Sequence, residues 1–129
     1  MSYVESGTNS QTVSVATEVA LATTSTNDGV PAGARVIISG VVACAAGTGG
    51  TTAAVKVRQG TTTSSVQVGA TVTGPAATAG VAAVVPFCVV DTAPPVNGQY
   101  VVTLTFTGNS SSVVVSNISA IYDFGSLEN

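Results

Sequence analysis

Histidine and tryptophan are both missing from this chain, and charge is scarce: three Lys or Arg and six Asp or Glu among 129 residues. The absence of histidine removes the commonest general base and the commonest neutral metal ligand together. Three basic residues are too few to line a phosphate backbone, which excludes nucleic acid as a partner. Shortage of charge also argues against disorder, because disordered chains are charge-rich and poor in β-branched residues. Apolar residues make up 45% of the sequence, yet no apolar run approaches the ~18 residues of a membrane span, so no membrane partner is expected. The opening MSYVESGTNSQ has neither the basic nor the apolar part of a secretory leader, and a soluble product made in the cytoplasm is the expectation.

Two cysteines, Cys44 and Cys88, stand far apart with no C-x-x-C spacing, so neither a metal site nor a redox motif is indicated. They read as reduced thiols buried in strands, with a disulfide between them as the alternative. The nine charges are Glu5, Glu18, Asp28, Arg35, Lys56, Arg58, Asp91, Asp123 and Glu128. Asp28 and Asp91 sit beside turn residues, where an Asx side chain caps its own backbone. Lys56 and Arg58 share one strand face, read as solvated rather than as an anion site. Asp123, near the end of the last strand, fits a cap or a contact with a neighbouring subunit. No Ser or Cys has a base or a G-x-S-x-G elbow. GTGGTT (47–52) lacks the Lys and the helix of a phosphate loop and reads as a hairpin turn. No loop holds two carboxylates for calcium. The expectation is therefore no catalytic, cofactor-binding or metal-binding residues, no cofactor, and no enzyme. Two N-x-S sequons, at Asn109 and Asn117, read as chance in a serine-rich chain.

What is present is a strand composition. The chain has 24 Val and 19 Thr, side chains stiff at χ1 that fit a pleated surface. Alternation of period two recurs between Gly, Pro and Asn turns. It places Val13 and Val15 inward in 12–23, with a register change before Val19 and Leu21. In ARVIISGVVACA (34–45), Val36, Ile38, Val42 and Cys44 share a face, and Gly40 marks a bulge or a close backbone approach. Val55 and Val57 alternate with Lys56 and Arg58; Val66, Val68, Ala70 and Val72 share a face of the next strand. VAAVVPFCVVD (81–91) is nearly continuous in apolar residues, and Pro86 demotes it to an edge strand or a bulge. After the loop TAPPVNGQ (92–99), Tyr100, Val102, Leu104 and Phe106 face one way. Gly108 to Ser110 then close a hairpin onto 111–124, whose alternation breaks near Ser116 and resumes at Ile118, Ala120 and Tyr122.

Seven or eight strands at this spacing, with no helix and no internal repeat, predict an all-β fold: an antiparallel two-sheet sandwich, jelly-roll-like. The alternative is an immunoglobulin-like sandwich, weakened by the lack of a Trp beside a Cys bridge. The division expected is an N-terminal arm (1–11), a β-sandwich domain (12–122) and a C-terminal tail (123–129).

With its polar start, strands such as ARVIISGVVACAAG, AAVKVRQG and GQYVVTLTFTG, and a short polar tail, the chain resembles small virion proteins of tailed bacteriophages, in particular head decoration (cement) proteins and jelly-roll minor capsid proteins. The resemblance carries no site residue across. It implies a homotrimer assembled in the host cytoplasm that binds a major capsid protein on the outside of the shell and stabilises it by bridging capsomers. Two other readings stay open. A tail-fibre or receptor- and glycan-binding head would show an exposed Tyr beside Asp or Asn in a loop. A surface-layer or pilus subunit would need a leader sequence.

Overall fold

The computed structural model describes residues 2–13, 17–26, 30, 33–44, 52–76, 83–95, 98–107 and 112–123. Eight strands follow one another: β1 (Ser2–Val13), β2 (Val19–Thr23), β3 (Arg35–Cys44), β4 (Thr52–Gln59), β5 (Gln67–Ala76), β6 (Ala83–Asp91), β7 (Tyr100–Phe106) and β8 (Ser112–Asp123). They form two four-stranded antiparallel sheets, ordered β1–β8–β3–β6 and β2–β7–β4–β5. Strands β1 and β8, β2 and β7, β3 and β6, and β4 and β5 are neighbours. The chain is thus one long hairpin folded back at the β4–β5 turn and then rolled into two layers, which is a jelly roll.

This order excludes the immunoglobulin alternative, in which different strands share a sheet. It also corrects two expected hairpins. β3 and β4 lie in different sheets, as do β7 and β8, so the segments between them join the layers and do not fold a strand back on its neighbour. Most of residues 47–52 and all of 108–110 fall outside the described residues.

Burial follows the pleat. β6 alternates strictly, with Ala83, Val85, Phe87, Val89 and Asp91 inward. Val36, Ile38, Val42 and Cys44 of β3 meet Val55 and Val57 of β4 and Tyr100, Val102, Leu104 and Phe106 of β7 in one core. Each fully buried valine contributes roughly 1.5–3 kcal/mol of hydrophobic free energy, so a valine-rich core suffices without large aromatics. Val15 is not among the described residues.

Three local expectations change. Ser2–Val13, mostly assigned to an arm, pairs with β8 over twelve successive positions; its own side chains carry little apolar signal, and backbone hydrogen bonds to β8 hold it. β8 does not break at Ser116: Val114, Ser116, Ile118, Ala120 and Tyr122 all point inward, and only the polarity of one residue interrupts the pattern. In β5, Gly69 takes a positive φ of 70° and the register slips, with Val55 opposite Val72 but Val57 opposite Val68. Val68 is buried while Ala70, in the bulge, is exposed, and Val66, 68% exposed, precedes the strand, so the four residues expected on one face do not share it.

Gly40 sits opposite both Phe87 and Ile118 in unbroken register, so it is not a bulge. A Cβ there would meet the Phe87 ring at 2.7 Å and the Asn117 carbonyl, which makes it the close approach. β6 is an edge strand, as Pro86 requires.

Candidate interaction surface

Each sheet turns one face to the core and one outward, and the two outer faces differ. On the outer side of β2–β7–β4–β5, charges collect around Glu18, which precedes β2. Arg58 of β4 donates from Nε to Glu18 Oε2 at 2.6 Å and from Nη2 to Oε1 at 2.9 Å. Thr103 of β7, fully buried, donates to Oε2 at 2.6 Å, and Lys56 Nζ lies 3.9 Å from Oε1. The Arg58 guanidinium holds the Glu18 carboxyl below the usual carboxylate range, against a smaller opposing effect of burial. Arg58 Nη1 also donates to the Ser65 carbonyl at 2.8 Å, fastening the turn before β5. The two cations that the sequence leaves on one strand face are therefore turned to the chain's own carboxylate, a structural ion pair.

Asp91 is also structural. Its Oδ1 accepts from the Ala93 amide at 3.0 Å, an Asx turn, and its Oδ2 accepts from Tyr100 Oη and Gln59 Nε2, both at 2.8 Å. Burial, and then this hydrogen bond to Asp91, push the Tyr100 phenol well above its ordinary range. Glu128 and Asp28 lie outside the described residues. Arg35 and Asp123 stand opposite each other in the β3–β8 register, both on the outer face. Among the described residues, no three His, Cys, Asp or Glu side chains gather as a metal set.

The outer face of β1–β8–β3–β6 is different in kind. Ile37, Val84, Val90, Val115 and Ile121 are between 37% and 53% exposed there, with Pro86 and Cys88 also exposed. β3 and β6 thus carry apolar residues on both sides. Their near-continuous apolar runs signal this in the sequence, because an antiparallel strand with one wet face alternates with polar residues. Alternation along these runs locates the strands but does not by itself reveal the second apolar face. The expectation that both thiols are buried holds for only one of them. Cys44 is buried and Cys88 exposed; both are free. On β3, Cys44 itself lies five residues from Ser39, the partner of Cys88, so the thiols are about 17 Å apart along the sheet and on opposite faces, which rules out a bridge.

Among the described residues with described side chains, every aromatic ring is buried: Phe87, Tyr100, Phe106 and Tyr122. None offers the exposed stacking platform that a glycan-binding head needs.

No protein-family model matches the chain, and no curated protein does. Solved structures match by fold. A structure of the infectious bursal disease virus Gx strain covers 98% of this chain with a TM-score of 0.62 and 15% identity. The crystal structure of the infectious bursal disease virus VP2 subviral particle covers 95% of it, with a TM-score of 0.61 and 13% identity. The chain spans about a third of the length of these neighbours, 34% and 32%. At such identities the likeness is one of architecture: this chain is an all-β jelly-roll sandwich of the kind found in these virus structures.

Proposed function

We propose that the chain is a virion structural protein that works by contact, decorating the outside of a bacteriophage capsid and stabilising it by bridging capsomers. The observation that carries this reading is the outer face of β3 and β6, where strands already buried on one side carry a second, exposed apolar side, a surface suited to contact with another protein or another copy. Contiguous apolar surface of this kind marks a contact site in a soluble protein. The fold likeness to chains of virus particles, over nearly the whole of this chain, supports the same class. So does the use of three described charges: Glu18, Arg58 and Asp91 are occupied in holding strands and turns together. A non-enzymatic role, self-association and a major capsid protein as partner belong to the same proposal. Bound copies would favour the assembled shell by mass action, since they bind the shell and not its separated subunits.

The test is to make particles without this chain and then add the purified protein back. Particles should form, should lose integrity at lower temperature or at low ionic strength, and should regain it on add-back. Unchanged particle stability together with no binding to empty shells would overturn the reading.

A further inference from the structure

We propose that the outer face of the β1–β8–β3–β6 sheet is a two-fold interface between two copies of this chain, with β8 of one copy lying over β3 of the other. The strand register draws level rows of side chains across this face. Arg35 is level with Asp123; Ile37 with Ile121; Ser39 with Ser119. Below them Val41 is level with Asn117, and Ala43 with Val115.

A two-fold axis running along the strands, midway between β8 and β3, exchanges the two sides of each row. Ile121 then lies on Ile37 of the second copy, Ser119 on Ser39, and Asp123 on Arg35. Like meets like in the Ile37–Ile121 and Ser39–Ser119 rows and opposite charges meet in the Arg35–Asp123 row, while Val41 faces Asn117 and Ala43 faces Val115. An isologous interface requires that self-complementarity, whereas an unrelated partner does not. On the flanks, exposed Ser6, Thr8 and Ser10 of β1 come over Cys88, Pro86 and Val84 of β6. These hydroxyl side chains are small enough for the sheets to approach to ~10 Å.

The area is adequate. Four strands about 4.8 Å apart and about 30 Å of strand length give a paired face burying on the order of 1,100 Å² in total, just over the ~1,000 Å² a specific contact needs. Pairing through this face is the self-association named in the proposed function, so a shell would meet surfaces of the dimer that stay exposed. The pairing is a property of the purified chain and stands or falls separately from shell binding.

Sedimentation of the purified full chain near ~100 µM tests it, a concentration that populates even a micromolar dimer. The wild-type chain should sediment as a dimer. Arg35→Asp and Asp123→Arg should each weaken the dimer at least tenfold, because each sets like charges against one another twice. Mixing the two variants should restore dimers, as an all-acidic pair of positions then meets an all-basic one. Ile37→Asp should give monomers, with Cys88 alkylated faster than in the wild-type dimer. All these side chains point outward, so circular dichroism melting should confirm that each variant folds. A wild-type monomer, a trimer, or a dimer indifferent to the charge variants would overturn the proposal, as would equal Cys88 alkylation rates.

Discussion

Arg58 grips both carboxylate oxygens of Glu18, at 2.6 and 2.9 Å, and so ties the middle of β4 to the residue that leads into β2. Glu18→Gln keeps the shape but leaves a half-buried guanidinium without its counter-charge, and should cost about 1–3 kcal/mol at neutral pH. Because folding lowers the Glu18 pKa, its contribution is present above the unfolded value near 4.5 and is lost as pH falls through the folded value. Urea denaturation should therefore show the parent losing more stability than Glu18→Gln between neutral pH and the acid side of that range.

Ser116 points into the core at 2% exposure, and among the described residues its hydroxyl has no hydrogen-bond partner. Ser116→Ala removes an uncompensated desolvation cost and should raise stability by about 1 kcal/mol, read as a higher denaturation midpoint with an unchanged slope.

Gly40 has no room for a methyl group. Gly40→Ala drives a Cβ against the Phe87 ring and the Asn117 carbonyl, and should cost about 1–3 kcal/mol by overpacking. Adding Phe87→Leu should recover only part of the loss, since the backbone contact remains. Thermal melting of the single and double variants checks both statements.

Tyr100 is neutral in the folded chain well into the alkaline range, through burial first and its hydrogen bond to Asp91 second. A raised phenol pKa contributes stability that is complete below the unfolded value near 10 and is lost as pH rises beyond it. The difference between the ultraviolet alkaline titrations of the parent and Tyr100→Phe isolates this phenol. It should ionise together with loss of the fold, while an ionisation near 10 in folded protein would contradict the structure.

The layer architecture was legible in the sequence because valine and threonine alternation is a direct record of the pleat. Inward positions such as Val36, Ile38, Val102 and Leu104 follow from it residue by residue. What alternation does not encode is which strand lies beside which. β1 is polar, so its partnership with β8 left no trace in its apolar pattern, and loop lengths did not reveal that β7 and β8 part into different sheets. Gly69 conceals its bulge because a positive φ is a property of the backbone, not of the apolar count. The Glu18 hub was hidden for a similar reason: its partners are 40 and 85 residues away along the chain. The outward apolar face was readable in RVIIS and VVPFCVVD, where neighbouring apolar residues leave no wet side, but that signal has force only once the strands are known to be antiparallel.

The proposed role of this protein is that of a contact component of a virus particle. Quantitative mass spectrometry of virions purified from cells producing the chain tests it most directly. The account predicts its peptides in the purified particles, in fixed proportion to the major shell protein across preparations. Their absence from purified particles, with the chain abundant in the producing cells, would contradict it.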